Sequence, residues 1–376
     1  MTLGILAELL PENRVGVTPD TLAALTKLGF QQILLEKGAG ARASISDAAY
    51  EQQGATVADL ATVLEKANVL VKIQPLTDSQ AAQLSSGQIV IGQFNLLSSP
   101  ELVEPLLKSQ ATVFSLDLLP RTTRAQVMDV LSSMATVAGY KAVLLAANHL
   151  PSFFPMFMTA AGTVKPAKVL ILGAGVAGLQ AIATAKRMGA VVEAFDVRQA
   201  AKEEVLSLGA KFVEVEGAVE NVAAGGYAIE QSEDFKKRQA TAIQERAMQS
   251  DVVICTAQIP GKRAPVLLRK ESVEAMKPGS VVVDLAASTG GNCEVTENGK
   301  TIRHTGVTII GDSNLPSSVP RDASAMFGKN VLNFLKLLVQ KGEVNLNFED
   351  DILAASCVAH QGEIISKRLQ ALVPVA

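Results

Sequence analysis

Residues 169–178 read VLILGAGVAG, and this short stretch decides the fold that we predict. A run of apolar residues leads into the glycine pattern G-x-G-x-x-G, and the alanine-rich segment AGLQAIATAKR (177–187) continues from it. A second apolar run, 191–195, ends directly before Asp196. The order strand, glycine turn, helix, strand and acidic residue predicts a dinucleotide-binding βαβ unit.

Each position of this unit has a physical role. Gly173 allows the tight turn, Gly175 lets the backbone approach a pyrophosphate, and Gly178 lets the helix pack closely on the strand. The helix N-terminus offers free N–H groups and a partial positive charge to an anion. We expect Asp196 to bind the adenosine ribose and to repel a 2′-phosphate, which favours NAD over NADP. Arg198 leaves the opposite preference open, because an arginine could pair with that phosphate. A glycine-rich turn that binds no nucleotide is the alternative.

Outward from this unit, apolar strand runs alternate with helical patterns along the whole chain. The predicted strands lie at 2–8, 32–36, 69–73, 88–91, 169–173, 191–197, 251–257, 280–286 and 307–311, and predicted helices lie at 19–28 and 176–188. Repeated alternation of this kind predicts parallel sheets covered by helices on both faces.

A long helix is predicted from Arg124 to Leu150, ending before Pro151, and we place a hinge in the Pro/Gly/Thr-rich segment 151–168. Helical patterning returns near the C-terminus with KNVLNFLKLLVQKG (329–342). We therefore predict an α/β protein with two Rossmann-like domains, mostly parallel sheets and a cleft between them. The first domain is discontinuous, 1–135 plus 311–376, and the second is 136–310.

The composition of the chain argues against several classes of protein. The 376 residues carry 34 Lys plus Arg and 37 Asp plus Glu, a net charge of −3, which argues against a nucleic-acid-binding protein. The 3 cysteines are far apart and the 3 histidines form no ligand pair, so we expect no disulfide framework and no metal. The N-terminus lacks a basic region and a cleavage motif. No uninterrupted apolar stretch reaches the roughly 18–20 residues of a membrane span, so we expect a chain that is soluble by itself.

A second polar group of residues lies in PRTTRAQVMDVLSS (120–133). If this segment is helical, Asp129 and Ser132 share one face, with Gln126 one turn earlier. Such polar groups can hold a carboxamide. Ordinary capping of a helix N-terminus is the alternative.

With these blocks in place, the chain resembles the NAD(H)-binding domain I, or alpha-1 subunit, of proton-translocating NAD(P) transhydrogenases. The resemblance runs nearly end to end. It rests on PENRVGVTP (11–19), LLPRTTRAQVMDVLSSMATVAGYKAV (118–143), the glycine turn, FDVR (195–198) and TAQIPGKRAPVLL (256–268). The family pattern P-K-E-R is replaced here by Pro11-Glu12-Asn13-Arg14.

The resemblance implies roles for single residues. Arg121 would contact the cofactor, Asp129 and Ser132 would hold its nicotinamide end, and Gln126 would project toward a second nucleotide; Gln126 and Asp129 are the catalytic candidates. The remaining cofactor-binding candidates are Gly173, Gly175, Val176, Gly178, Asp196, Val197, Arg198, Gly226, Tyr227, Gln239 and Gln258. Gly226 and Tyr227 resemble the family's mobile loop, and Gln258 replaces a leucine expected in some members.

The alternative from the same superfamily is alanine dehydrogenase, an NAD-dependent amino-acid dehydrogenase. That family keeps an arginine, here Arg14, together with a lysine, a histidine and an aspartate. Aligning its motifs puts Gln74, Asn95 and Ser288 at those last three positions, so each ionisable group is missing. A loss of roughly 100- to 10,000-fold per acid–base group would follow. A nucleotide-binding module without turnover is the third possibility.

The resemblance therefore implies a Re/Si-specific, proton-translocating transhydrogenase, with NAD(H) on this chain and NADP(H) on a partner subunit. It also implies membrane-spanning partner subunits, a homodimer, and a cytoplasmic location at the membrane surface through those partners.

Overall fold

The structure is a computed structural model that describes residues 1–215, 232–259 and 261–373. It divides the chain into two compact units, Met1–Met134 with Pro316–Ala376 (the N-terminal unit) and Ala135–Leu315 (the central unit). The described strands are β1 (Thr2–Ile5), β2 (Gln32–Glu36), β3 (Thr56–Ala58), β4 (Val69–Val71), β5 (Ile89–Gly92), β6 (Thr112–Ser115), β7 (Phe157–Thr159), β8 (Gly162–Val164), β9 (Lys168–Leu172), β10 (Val191–Phe195), β11 (Lys211–Phe212), β12 (Val252–Cys255), β13 (Val281–Asp284), β14 (Thr301–His304), β15 (Val307–Ile310), β16 (Val339–Gln340), β17 (Glu343–Val344), β18 (Cys357–His360) and β19 (Glu363–Ile364).

The described α-helices follow the same chain order. They are α1 (Pro19–Leu28), α2 (Asp47–Glu51), α3 (Leu60–Lys66), α4 (Asp78–Ala81), α5 (Val103–Lys108), α6 (Val130–His149), α7 (Val176–Arg187), α8 (Ala200–Ser207), α9 (Glu233–Met248), α10 (Lys270–Glu274), α11 (Pro320–Leu338), α12 (Asp351–Ser356) and α13 (Lys367–Gln370). The boundaries predicted for α1 and β2 coincide with those observed.

The sheet of the N-terminal unit has the strand order β3-β2-β1-β4-β5-β6-β18-β19. The six strands β1 to β6 are parallel, and β18 and β19 add an antiparallel edge. Strand β1 ends at Ile5 rather than at the predicted residue 8, and the Glu8 carboxylate beyond it accepts hydrogen bonds from the Ile73 and Gln74 amides.

The sheet of the central unit has the order β11-β10-β9-β12-β13-β15-β14, parallel except for β14. Strand β9 is the first of these strands in sequence and lies between β10 and β12, so the strand order reverses beside it. Ligands of open α/β sheets bind at the carboxyl ends of the strands at such a switch point. The predicted α/β fold of two Rossmann-like domains with mostly parallel sheets is confirmed.

The long helix predicted from Arg124 is wrong at its start. Helix α6 begins at Val130, after a single 3-10 turn at Gln126–Met128. Asp129 is extended, with φ −72° and ψ 94°, and its carboxylate accepts hydrogen bonds from the backbone N (2.9 Å) and the hydroxyl of Ser132. A carboxylate that bonds the third helical amide is an N-cap, which fixes the helix start.

The segment predicted as a hinge, 151–168, contains the short antiparallel pair β7–β8. Helix α6 is also the one described helix that is long and apolar enough to cross a membrane by length and composition, with a mean hydropathy of 1.5. Its residues Ala142, Val143 and Ala146 belong to the core of the central unit. A core helix of a globular unit meets the same criteria.

Candidate functional site

The glycine turn lies at the carboxyl end of β9. Gly173 has a φ of +101°, a region that favours glycine, and its N–H donates to the Phe195 carbonyl at 2.8 Å. Gly175 occupies the N-cap position of α7 without a side-chain cap, and Val176, 42 % exposed, is the first helical residue. The first amides of α7 therefore remain available for an anion.

Two glycines of the turn differ in their surroundings. A Cβ on Gly178 would lie 1.9 Å from the Gly173 carbonyl oxygen, so the close approach of helix and turn requires glycine there. A Cβ on Gly175 would meet nothing within 4 Å. Packing within the protein therefore does not require glycine at position 175. The missing side chain leaves a space beside the helix N-terminus, and this space fits a pyrophosphate.

Asp196 follows β10 and joins this turn. Its Oδ2 accepts a hydrogen bond from the Ala174 backbone N at 2.8 Å, so the acidic residue and the glycine turn form one continuous site. Its side chain is 8 % exposed.

Arg198 pairs with the same carboxylate. Its Nε lies 2.9 Å from Asp196 Oδ1, its Nη2 lies 2.9 Å from Oδ2, and its backbone N donates to Oδ1 at 2.8 Å. The hydrogen bond to Asp196 raises the pKa of Arg198. Arg198 was the possible partner of a 2′-phosphate in the sequence. In the structure its guanidinium is bound by Asp196, the carboxylate that would repel such a phosphate.

The sequence reasoning missed two residues near the turn: Thr256 bonds the turn itself, and Asn292 holds the segment that follows β12. The hydroxyl of Thr256, directly after β12, donates to the Gly173 carbonyl at 2.8 Å. The fully buried Asn292 accepts from the Ala257 N at 2.9 Å and donates to the Ala257 and Pro265 carbonyls at 2.8 Å. Thr256 lies in the block TAQIPGKRAPVLL (256–268) that supports the resemblance, but only the spatial partners of the two residues reveal what they do.

The other predicted residues of the central unit are placed as follows. Gln258 lies beyond β12, and its side-chain amide donates to the Leu285 carbonyl, directly after β13, at 2.7 Å. Gln239 is buried on α9, and Val197 is half-buried between Asp196 and Arg198. Gly226 and Tyr227 lie outside the described residues.

The second predicted group comes together within the N-terminal unit. Arg121, Gln126, Asp129 and Ser132 line a shallow cavity of about 180 Å³, together with Pro120, Thr122 and Ala125. Gln126 begins the 3-10 turn and is exposed, whereas Asp129 caps α6. Gln126 is therefore not one turn earlier on the same helix, contrary to the prediction, but it lines the same cavity as Asp129. The capping contact that the alternative expects is present, because the Asp129 carboxylate accepts a hydrogen bond from the backbone N of Ser132.

The residues that separate the two enzyme alternatives differ in their surroundings. The Gln74 side chain accepts from the Leu9 N at 2.9 Å, Asn95 has a φ of +51°, and Ser288 is exposed. The buried Arg14 forms an ion pair with Glu12 at 2.7 Å. Burial would raise the pKa of Glu12, but the hydrogen bonds and charge of Arg14 outweigh it and hold that pKa below its ordinary value.

Family models match nearly the whole chain. Residues 4–138 match "Alanine dehydrogenase/PNT, N-terminal domain", and residues 142–367 match "Alanine dehydrogenase/PNT, C-terminal domain".

Individual relatives differ in how similar they are to the chain. The chain is similar to an NAD(P) transhydrogenase alpha subunit of Rhodospirillum rubrum, with 46 % identity over 95 % of this chain and 96 % of that one. It is similar to the crystal structure of transhydrogenase from Sinorhizobium meliloti, with a TM-score of 0.86, 39 % identity and coverage of 98 % and 99 %. The alanine dehydrogenase of Mycolicibacterium smegmatis is 27 % identical over 95 % of this chain and 92 % of its own.

Proposed function

The chain belongs to the alanine dehydrogenase/PNT family, together with the NAD(P) transhydrogenase alpha subunits, and on this premise we propose that it exchanges a hydride between NAD(H) and NADP(H). In this proposal NAD(H) binds to this chain and NADP(H) to a partner subunit. Membrane-spanning subunits couple the exchange to proton translocation, and the reaction is Re/Si-specific.

The observation that carries the proposal is the bond between the glycine turn and Asp196. It supports a site in which the first amides of α7 hold the pyrophosphate and the carboxylate meets the adenosine ribose. Val176, Val197, Gln239 and Gln258 are proposed to line the same nucleotide site. Gly226 and Tyr227 are proposed to belong to a loop that closes over it.

The polar group of the N-terminal unit is proposed to serve the nicotinamide end. Asp129 and Ser132 present a carboxylate and a hydroxyl to a carboxamide, and Arg121 contacts the cofactor at the same cavity. Gln126, exposed at its rim, is proposed to face the second nucleotide. Bound NAD(H) supplies the hydride-donating or hydride-accepting C4 carbon. The protein's task is to orient the two nicotinamides and to exclude water from between them.

Direct transfer between two nicotinamides needs no general acid or base, which agrees with the neutral side chains of Gln74, Asn95 and Ser288. Reduction of an imine by an alanine dehydrogenase needs such groups. The same neutral positions, together with 46 % against 27 % identity, favour the transhydrogenase over the dehydrogenase.

A homodimer belongs to the proposal. The segment around β7 and β8 exposes large apolar side chains: Phe153 is 57 % exposed, Met156 56 %, Phe157 42 % and Met158 74 %. An exposed apolar patch of this kind is typical of an interface. Sedimentation of a Met158→Asp variant should show a monomer where the wild type shows a dimer. An unchanged dimer would place the interface elsewhere.

The partner subunits are proposed to keep the chain at the cytoplasmic surface of the membrane. The decisive experiment mixes the purified chain with an NADP(H)-binding transhydrogenase domain and follows hydride transfer from NADPH to an acetylpyridine analogue of NAD⁺. The control offers NADH, pyruvate and ammonia to the chain alone.

Transfer that requires both proteins, with a silent control, is the expected result. Oxidation of NADH in the control would identify an amino-acid dehydrogenase instead. Binding of NADH without turnover in either arm would leave the nucleotide-binding module as the correct description.

A further inference from the structure

The carbonyl of Val127 accepts two side-chain hydrogen bonds from one helix. The Nδ2 atom of Asn330 lies 2.9 Å from this oxygen and the Nδ2 atom of Asn333 lies 3.1 Å from it. Val127 is the middle residue of the 3-10 turn Gln126–Met128, whereas both asparagines belong to α11 of the same unit. The contact therefore joins the turn that carries Gln126 to a long helix of the N-terminal unit.

The geometry holds the backbone of the turn rather than a side chain. Asn330 and Asn333 are three residues apart, so their amides lie on one face of α11. The side chain of Val127 is 56 % exposed, and its packing therefore contributes little to fixing the turn. Asn330 is 6 % exposed, and its Oδ1 accepts no hydrogen bond within the residues that the structure describes. Among the residues that the structure describes, the hydrogen bond to the Val127 carbonyl is thus the polar contact that the buried Asn330 side chain makes.

A second contact anchors the preceding loop but is weaker. Arg124 forms ion pairs with Asp350, at 2.6 Å, and with Asp351. Its side chain is 52 % exposed, and ion pairs in water contribute little because solvent and salt screen them. The two hydrogen bonds from the asparagine amides are between uncharged groups, so their strength does not depend on ionic strength, and the one from Asn330 is shielded from solvent. This pair of hydrogen bonds is the stronger candidate for fixing the turn.

We infer that Asn330 and Asn333 are positioning residues that set the conformation of the turn carrying Gln126. They touch neither nucleotide in this inference. They act through the Val127 carbonyl, one residue from Gln126 and two from Asp129. The consequence for hydride transfer rests on the proposed function, in which Gln126 faces the second nucleotide.

The kinetic test compares the Asn330→Ala/Asn333→Ala double variant with Asn333→Ala alone, which replaces only a half-buried residue and is the safer variant to fold. A misplacement of about 1 Å can cost about 100-fold in rate, so the double variant should transfer hydride about 10- to 100-fold more slowly. The single variant should lose about three- to tenfold, the effect of one hydrogen bond. The affinity for NADH should fall much less than the rate, because the glycine turn and Asp196 are untouched.

Lys336→Ala is the matched control. Lys336 lies on the same helix and donates to Asn333 Oδ1 at 3.1 Å, so its removal takes away neither of the two donors to Val127. We expect wild-type rates for this variant. Rates of the double variant within twofold of wild type, or an equal loss of rate and NADH affinity, would overturn the inference.

A readout independent of activity separates this inference from the proposed function. The chain contains no tryptophan, so Thr123→Trp, on the exposed loop, introduces the only indole. Its fluorescence anisotropy should fall when both asparagines are replaced and should not change with Lys336→Ala. Unchanged anisotropy in the double variant refutes the inference. If the wild-type chain transfers no hydride, the proposed function fails, and the anisotropy alone decides whether the asparagines hold the turn.

Discussion

The guanidinium of Arg198 lies against the carboxylate of Asp196, with Nε 2.9 Å from Oδ1 and Nη2 2.9 Å from Oδ2. The backbone N–H groups of Arg198 and Ala174 donate to the same two oxygens at 2.8 Å. A carboxylate has about four lone-pair positions, and these four donors occupy them. A ribose hydroxyl must therefore compete with one of these donors. The guanidinium of Arg198 is the donor group that a side-chain rotation can remove, whereas the two backbone N–H groups are fixed.

This pairing predicts how the nucleotide preference changes. Asp196→Ala should weaken NADH binding about 10- to 100-fold, the effect of losing a hydrogen bond to a charged group. It should also strengthen NADPH binding, because the released Arg198 can pair with the 2′-phosphate. Calorimetric titration of both nucleotides measures the two effects.

Arg198 provides the control for this prediction. Arg198→Ala should still bind NADPH poorly, because the Asp196 charge remains. The double variant Asp196→Ala/Arg198→Ala should lose the gain in NADPH affinity. If the double variant binds NADPH as well as Asp196→Ala does, another group recognises the phosphate.

The two glycines of the turn predict opposite outcomes for the same substitution. Gly175→Ala should fold with a wild-type melting temperature and bind NADH at least about tenfold more weakly, because its Cβ would point into open space beside the helix N-terminus where the pyrophosphate approaches. Gly178→Ala should lower the melting temperature, because its Cβ would overlap the Gly173 carbonyl at 1.9 Å. Thermal unfolding and NADH titration of both variants test the pair. Full NADH affinity in Gly175→Ala would show that no ligand approaches this position.

The sequence was sufficient for features that depend on local chemistry. Helix α1 starts at Pro19 and ends before Gly29, whose φ is +117°, and both bounds agree with the predicted 19–28, although Thr18 at the N-cap position makes no side-chain capping bond. The glycine turn and Asp196 are likewise encoded within one βαβ unit. The alternation of strands and helices predicted the fold class for the same reason.

Features that depend on distant residues were missed or misplaced. Nothing near Gln126 indicates that Asn330 and Asn333, some two hundred residues later, bond the Val127 carbonyl. The start of α6 was misjudged because residues 124–128 have a good helical pattern, whereas the Asp129 cap decides the outcome. The support of Gly173 by Thr256 likewise depends on β9 and β12 being neighbours in the sheet.

All three cysteines are predicted to be unreactive in the folded chain. Burial raises the pKa of Cys293 to about 11 and that of Cys357 to about 12. Burial also raises the pKa of Cys255, with smaller contributions from Asp284 and Cys293. At pH 8 their thiolate fractions are low, so dithiobis-nitrobenzoate should react at least about 100-fold more slowly than with a free thiol. In guanidinium chloride all three should react, and rapid labelling of the folded chain would contradict the prediction.

The buried pair of Glu12 and Arg14 predicts a pH-dependent contribution to stability. The folded-state pKa of Glu12 lies below 4.5, the ordinary value that applies to the unfolded chain. The contribution is therefore present above that value and is lost as the pH falls through the folded-state pKa. Glu12→Gln leaves Arg14 buried without its partner, at a cost of about 3–5 kcal/mol near pH 7.

That cost corresponds to roughly 6–20 °C in the melting temperature of a unit of this size. Scanning calorimetry at several pH values should show the difference from wild type shrinking as the pH falls below 4.5. The exposed Glu51→Gln should melt like the wild type throughout. A difference that does not vary with pH would mean that the carboxylate charge is not what stabilises the site.

The last prediction concerns the proposed role of Gln126. Gln126→Asn keeps the amide but shortens the side chain by one methylene, which withdraws the polar group by about 1 Å. Hydride transfer to or from the partner's nucleotide should slow about 10- to 100-fold, because that step depends on alignment at this scale. NADH affinity should remain within about twofold, since the glycine turn and Asp196 are unchanged. Rapid-mixing measurements with the partner domain give the rate, and Thr123→Ala on the same exposed loop is the control. Equal losses of affinity and rate would assign Gln126 to the NADH pocket rather than to the encounter between the two nucleotides.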